Sequence, residues 1–269
     1  MGGGADVVAS SSKDGTGMDP ETGLFPPQFA VPPGTGAVFY LAQSPHYREG
    51  CDRAPHVLNV NTVSATRVAG MAARAGVRKF IYASTGNVYA PGFSPHAESA
   101  ALHRDTWYEL SKVHAEEALA LFRDQLDVAV VRLFGVYGPG QSGRLVPTLA
   151  SAVASGKPIV IERNPTDPSD LGGFRISLCY VEDAVRILAA LLDCERVPVL
   201  NVAGDEVLNM RQIATAIGNA MGRPPSFDVT TRPRGGDLVA DISLLKRLLQ
   251  PQFTPFEIGL HHMLDALKA

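Results

Sequence analysis

The chain has 269 residues, 45% hydrophobic and 19% charged, with a formal net charge of −3. That length and balance suit one α/β unit with a smaller partner domain, and the mild acidity leaves no basis for a nucleic-acid ligand. Cys51, Cys179 and Cys194 are scattered without Cys-x-x-Cys spacing, which argues against a zinc site or disulfide framework and fits a reducing compartment. Adjacent His261 and His262 would point about 100° apart on a helix, so they do not share a metal easily. No apolar run reaches membrane-spanning length, and the start lacks the charged and apolar regions of a signal peptide. We therefore expect a cytoplasmic protein with no membrane, nucleic-acid or metal partner.

Residues 1–36 are dense in Gly and Pro. Asp6-Val7-Val8-Ala9 is a strand candidate that runs into Ser10-Ser11-Ser12-Lys13. Gly2-Gly3-Gly4, Gly15-x-Gly17 and Gly34-x-Gly36 have the spacing of flexible turns. From Ala37 the pattern becomes regular. Ala37–Ala42 reads as a buried strand, Asn61–Ala75 as an alanine-rich helix ending at Gly76, and Lys79–Ala83 as a strand broken by Ser84-Thr85-Gly86-Asn87. Thr106-x-x-Glu109 is a capping box, so a helix starts near Trp107 and runs to about Arg123. Asp127–Phe134 is a nearly continuous apolar strand, as expected of a sheet covered on both faces. Beyond Gly138-Pro139-Gly140 the reading gives a helix over Val146–Ala154, a strand over Pro158–Ile161 and a linker over Asn164–Gly173. A strand over Arg175–Tyr180, a helix over Val181–Leu192 and a strand over Val199–Val202 follow. Helices over Met210–Met221, Ile242–Leu249 and Phe256–Leu267 close the chain. Strands alternating with helices at this spacing mean a parallel α/β sheet.

Tyr108 and Lys112 are the candidate chemistry. Four residues apart on a helix, they share a face, with Tyr108 in the first turn. A free tyrosine has a pKa of about 10, too high for acid/base work at neutral pH. A nearby ammonium and the positive end of a helix dipole both favour the phenolate. A third hydroxyl to orient a substrate oxygen is available from Ser84 and Thr85, where a strand ends and a loop begins.

Several stretches together resemble the extended short-chain dehydrogenase/reductase family, the NAD-dependent epimerases and dehydratases. They are Val38-Phe39-Tyr40-Leu41-Ala42, Asn59-Val60-Asn61-Thr62, Phe80-Ile81-Tyr82-Ala83-Ser84-Thr85-Gly86-Asn87-Val88-Tyr89 and Tyr108-x-x-Ser111-Lys112. Val131-Arg132-Leu133-Phe134-Gly135-Val136-Tyr137-Gly138-Pro139, Tyr180-Val181-Glu182-Asp183, Leu200-Asn201-Val202-Ala203-Gly204 and Gly236-Asp237 continue the series in the family's order. The resemblance implies a Rossmann-like doubly wound parallel sheet, N-terminally incomplete, with a smaller C-terminal substrate domain. In domain terms, residues 1–36 would be an irregular remnant of the cofactor domain. Residues 37–141, with returns from about 175–203, would form the Rossmann-like core, and 142–269 mainly the substrate-binding domain. It implies Tyr108 as catalytic acid/base, Lys112 as its pKa-lowering and ribose-binding partner, and Thr85 with Ser84 as the substrate-orienting hydroxyls. Ala42, Asn61, Ser84, Tyr108, Lys112, Phe134, Gly135 and Val136 would line an NAD or NADP cofactor, and the helices over 61–75 and 106–123 would form a homodimer interface. The implied activity is an NAD(P)-dependent epimerase or dehydratase, or a carbonyl reductase, on a small hydroxyl/carbonyl substrate such as a nucleotide sugar.

The chain also departs from the family. No Gly-x-x-Gly-x-x-Gly turn follows a strand to hold a pyrophosphate, which puts dinucleotide binding in question. Asp6–Ala9 resembles the family's second strand, so the first strand and helix are expected to be missing, by truncation or decay. Ser10-Ser11-Ser12-Lys13 stands where an acidic residue usually selects NAD, and would tolerate the 2′-phosphate of NADP. Gly86-Asn87 stands where sugar-nucleotide 4,6-dehydratases carry Asp-Glu, which makes that elimination improbable. Gly135 replaces an Asn that helps hold a nucleotide-sugar diphosphate in relatives. A second reading therefore stands beside the enzyme: a catalytically impaired family member acting as a binding or regulatory protein.

Overall fold

Pairing in parallel with Ala37 opposite Lys79 and Tyr40 opposite Tyr82, strands β1 (Ala37–Tyr40) and β2 (Lys79–Thr85) begin the regular structure. The computed structural model describes residues 6–13, 15–194 and 196–266. Gly2-Gly3-Gly4 and Leu267, the end of the expected last helix, lie outside the described residues. The chain divides into two compact units, residues 1–83 with 103–130, and residues 84–102 with 131–269.

In the first unit a helical rod runs from α1 (Ala54–Leu58) through a π-helical turn (Asn59–Ser64) into α2 (Ala65–Arg74). It starts seven residues before the expected Asn61. Pro55, which reads as a breaker, sits in the first turn, where a missing N–H costs nothing. Asn61, Thr62 and Ser64 fall inside the expected helix, and the polar side chains of this π turn bond to neighbouring segments. Thr62 Oγ1 donates to the Ser111 carbonyl and Ser64 Oγ to the Gly23 carbonyl. The helix α3 (Trp107–Ala120) begins with the expected capping box, Thr106 accepting from the Glu109 N–H and Glu109 accepting from the Thr106 N–H. It ends three residues before Arg123. The strand β3 (Asp127–Leu133) follows, and its Asp127 pairs with the buried ammonium of Lys79 at 3.1 Å.

Asp6-Val7-Val8-Ala9 is not a strand, contrary to expectation. Val7 and Val8 are 85% and 77% exposed, with no strand beside them among the described residues. Immediately afterwards Ser10 Oγ donates to the Thr16 carbonyl, and the Gly17 N–H to the Ser11 carbonyl, which closes a tight local loop. A four-residue run gains strand stability only from a neighbour, and here the local hydrogen bonds prevail. Ser10-Ser11-Ser12-Lys13 thus follows no strand, and the 2′-phosphate tolerance expected of that position loses its basis.

Residues 18–29 have no regular structure but are strapped to the rod. Arg67 donates to the Phe25 and Pro26 carbonyls, Asn59 Nδ2 to the Thr22 carbonyl, and Phe25 is buried. Gly23 has φ +72°, and a Cβ there would sit 2.5 Å from Val60 Cγ2, so only glycine permits this approach.

The second unit contains β4 (Val136–Tyr137), α4 (Leu145–Ser155), β5 (Ile159–Arg163), β6 (Arg175–Ser177), β7 (Cys179–Tyr180) and α5 (Val181–Ala190). After them come β8 (Val199–Val202), β9 (Val207–Asn209), α6 (Met210–Met221), β10 (Phe227–Pro233), α7 (Ser243–Leu249) and α8 (Phe256–Ala266). The main sheet has the order β1-β2-β3-β8. Three two-stranded pairs accompany it: β5 with β10 and β4 with β7, both parallel, and β6 with β9, antiparallel. Val146, Leu149, Val153, Ile159, Ile161, Ile213, Ile217, Leu260 and Met263 form one core. Each such side chain contributes roughly 1.5–3 kcal/mol by leaving water.

Candidate functional site

In the first unit, α3 presents Tyr108 and Lys112 one turn apart. Tyr108 is 8% exposed and Lys112 2%. Lys112 Nζ donates to the backbone carbonyl of Ala83 at 2.7 Å and lies 4.9 Å from the centroid of the Tyr82 ring. Burial lowers its pKa to about 7, against the opposing pull of the Glu116 carboxylate. The ammonium that was expected to favour a phenolate is therefore itself poised near neutrality.

The Tyr108 hydroxyl donates to Gln43 Oε1 at 3.1 Å, and the Tyr47 ring tilts against the Tyr108 ring with centroids 5.1 Å apart. Gln43 and Tyr47 were not anticipated. The residues follow β1 in an irregular segment, and nothing periodic marks them.

Asn61 is fully buried, and its side-chain amide is used twice. Its Oδ1 accepts from the Ser44 N–H at 3.3 Å and its Nδ2 donates to Ser111 Oγ at 2.9 Å. Ser111 Oγ in turn donates to the Tyr108 carbonyl, and the Asn61 carbonyl accepts from Tyr82 at 2.9 Å. The π turn containing Asn61 thus fixes the first turn of α3, a common use of such bulges near functional residues. Ala42 is half-buried beside Gln43.

The donor set of this unit suits the nicotinamide-ribose end of a dinucleotide. It offers a buried lysine with donors beyond the one spent on Ala83, and a phenol on the same helix face.

The second unit holds the remaining expected residues. Ser84 and Thr85 end β2, both buried. Thr85 Oγ1 accepts from the Asn87 N–H at 3.2 Å, so its own proton remains to be donated. A Cβ at Gly86 would lie 2.6 Å from the Phe134 ring, so an Asp there would collide with Phe134. Gly135 has φ +43°, and a Cβ would meet the Ser177 carbonyl oxygen at 2.6 Å. An Asn there, which the family resemblance would suggest, could be seated only if that carbonyl moved. Val136 lies in β4, which pairs with β7.

Arg234 stands in the short basic stretch Arg232-Pro233-Arg234, which by itself carries no sequence signal of a site. It is buried between two carboxylates: Nε donates to Asp237 at 2.9 Å and Nη2 to Asp170. Burial would raise the Asp170 pKa, but the Arg234 hydrogen bond and charge outweigh it and hold the carboxyl below its ordinary value. Among the described residues nothing accepts from the buried Arg234 Nη1, a condition costing about 1–3 kcal/mol unless a ligand supplies an acceptor. The spacing Arg234-x-x-Asp237, with two glycines between, was the available sequence signal.

A profile of the NAD dependent epimerase/dehydratase family matches residues 31–203. A dTDP-4-dehydro-6-deoxy-D-allose reductase from a Streptomyces species is 26% identical over 224 residues, covering 78% of this chain and 67% of the relative. A UDP-glucose 4-epimerase from Mycolicibacterium smegmatis is 30% identical over 213 residues, covering 75% of this chain and 64% of the relative. The chain thus spans about two thirds of the length of these curated relatives. The solved structure of MoeE5 in complex with UDP-glucuronic acid and NAD superposes with a TM-score of 0.73 at 23% identity, over 87% of this chain and 79% of that one. That likeness confirms the Rossmann-like α/β fold.

Proposed function

The chain belongs to the NAD dependent epimerase/dehydratase family, and on that premise we propose that it oxidises or epimerises a sugar carbinol of a nucleotide sugar, with Tyr108 as the acid/base. The observation that carries this reading is Lys112, a lysine buried at real cost, seated on the Ala83 carbonyl one turn from Tyr108. A protein keeps such a group where a shifted pKa serves chemistry.

Tyr108 takes the proton of the substrate hydroxyl and returns it when the carbonyl is reduced again. Lys112 would hold the ribose hydroxyls of the dinucleotide with the donors not spent on Ala83 and, when charged, favours the phenolate. Thr85 donates its hydroxyl proton to the reacting oxygen, with Ser84 beside it in sequence. Bound NAD supplies the hydride acceptor at C4 of its nicotinamide. Ala42, Asn61, Phe134, Gly135 and Val136 remain the proposed lining for it, Asn61 by fixing α3. Residues 142–269 form the substrate domain in this reading, and Arg234 Nη1 donates to a sugar or phosphate oxygen. Paired with two carboxylates, it acts as a directed donor and not as a net positive charge.

The names of the relatives support a nucleotide sugar, since those reported above act on or bind dTDP- and UDP-linked sugars. Enzyme names also favour this reading over the non-catalytic one. Trp107 and Leu121, exposed at the two ends of α3, support a homodimer through α2 and α3. No helix among the described residues is long and apolar enough to cross a membrane, and a cytoplasmic location remains part of the proposal.

Titration calorimetry tests the lysine's role. NAD should bind the wild type, and Lys112→Met should weaken it by about tenfold or more, the scale of two lost hydrogen bonds to ribose. Equal affinities for the two proteins would overturn the assignment of Lys112.

A further inference from the structure

Residue 43 sits at the proton that the proposed chemistry moves. We propose that Gln43 is a positioning residue for Tyr108, holding the phenol through its amide oxygen and the phenolate, after an amide rotation, through its amide N–H. This rests on the acid/base reading of Tyr108.

Geometry supplies the first half. The Tyr108 hydroxyl donates to Gln43 Oε1 at 3.1 Å. The segment that carries Gln43 is held in place. The next residue, Ser44, is fully buried; its N–H donates to Asn61 Oδ1 and its hydroxyl bonds His56 Nδ1 at 2.8 Å. His56 Nε2 lies 3.1 Å from the Pro20 carbonyl, so the ring donates there and accepts from Ser44. Asn61 is in turn bonded to Ser111, whose hydroxyl donates to the Tyr108 carbonyl. Gln43 and Tyr108 are thus joined twice, directly and through Ser44, Asn61 and Ser111. Tyr47, four residues beyond Gln43, leans on the same ring.

Chemistry supplies the second half. An acid/base exists in two protonation states during turnover, and a fixed partner that only accepts would penalise the phenolate. A glutamine amide carries an acceptor and a donor at almost the same distance from Cγ. Rotation about its last, broad two-fold torsion exchanges them at little cost. The side chain therefore keeps the oxygen of Tyr108 in one place while the proton comes and goes. Gln43 itself exchanges no proton: the substrate hydroxyl loses it, Tyr108 gains it, and the reverse step restores both.

The test titrates Tyr108 directly. The ultraviolet absorbance of tyrosinate is followed against pH in the protein and in Tyr108→Phe, and the difference isolates the Tyr108 phenol. Gln43→Glu replaces the two-way partner by an acceptor with negative charge, and should raise the Tyr108 midpoint by about one unit or more. The acidic limb of kcat/KM with NAD and a nucleotide hexose should move up by the same amount. Gln43→Leu should lower kcat about tenfold, the scale of one lost hydrogen bond to an ionised group. A role in folding alone would leave midpoint and limb in place. An unmoved midpoint in Gln43→Glu, with Tyr108→Phe inactive, would overturn the role of Gln43 and leave the acid/base reading standing. An active Tyr108→Phe would overturn the acid/base reading and this role with it.

Discussion

Lys112 and Ala83 are joined by a hydrogen bond of 2.7 Å from a buried ammonium to a backbone carbonyl. The carbonyl belongs to β2, and the residues after it are Ser84 and Thr85. One bond thus ties α3 to the part of β2 that lies in the same unit.

The first prediction concerns what this lysine costs. Its native pKa is about 7, below the ordinary lysine value of roughly 10.4. Between those values the unfolded chain binds more protons than the native one, so stability rises with pH across that window. Below about pH 7 the penalty is present in full. Lys112→Met should therefore be more stable than wild type at pH 7, by about 1–3 kcal/mol, and should lose that part of the slope. Urea melts at pH 6, 7.5 and 9 (chosen as roughly spanning the window) check both, and a less stable variant at pH 7 would contradict the account.

Asn61 ties three segments through one amide. Asn61→Ala leaves the buried Ser44 N–H without its acceptor and Ser111 Oγ without its donor. A loss of about 1–3 kcal/mol follows. Asn61→Asp keeps the acceptor for Ser44 but removes the donor to Ser111 and buries a carboxylate without a cation, and should be at least as destabilising as Asn61→Ala. Equilibrium unfolding ranks the three proteins.

Gly86 is required by its neighbour. An added Cβ would stand 2.6 Å from the Phe134 ring. Gly86→Ala should cost about 1–3 kcal/mol through overpacking, and Phe134→Leu in the same chain should recover part of it. A double-mutant cycle measures the coupling, and strict additivity would refute the contact.

The start of α3 depends on its cap. Thr106→Ala removes the acceptor for the Glu109 N–H and should lower stability by about 1 kcal/mol. Because Tyr108 lies in that first turn, kcat should fall in parallel, whereas Thr106→Ser should retain both.

Much of this was legible in the sequence where the signal was local. Thr106 and Glu109 are three residues apart, and the capping box they form is where it was expected. The helix α6 ends at Met221, where it was expected to, with Gly222 after it in the left-handed conformation at φ +65°. The continuous apolar run of β3 announced a strand with both faces covered. Other elements lacked a local signal. Strands of two or three residues such as β4 and β9 have too few positions for a period, and β10 ends in Pro233, a strand-breaking residue. Asp6–Ala9 carried a strand signal that its surroundings did not support. The rod from Asn61 onward was legible, but its first turns, from Ala54 to Val60, were hidden by Pro55, which reads as a helix breaker.

The candidate site divides in the same way. Tyr108 and Lys112 are helix neighbours, and their spacing exposed them. Gln43 meets Tyr108 across 65 residues and Asn61 meets Ser111 across 50, so no window of sequence contains either pair. Arg234 is one of two arginines around a proline in the sequence, and only the fold brings it between Asp170, 64 residues away, and Asp237.

The central claim is that Tyr108 moves the substrate proton in an NAD-dependent reaction. The most direct measurement is the absorbance of NADH formed on the protein when a UDP- or dTDP-hexose is added to the protein with NAD. The account predicts a transient NADH signal in the wild type, and a rate of appearance lower by about 10²–10⁴-fold in Tyr108→Phe at unchanged folding. Equal rates in the two proteins would contradict it.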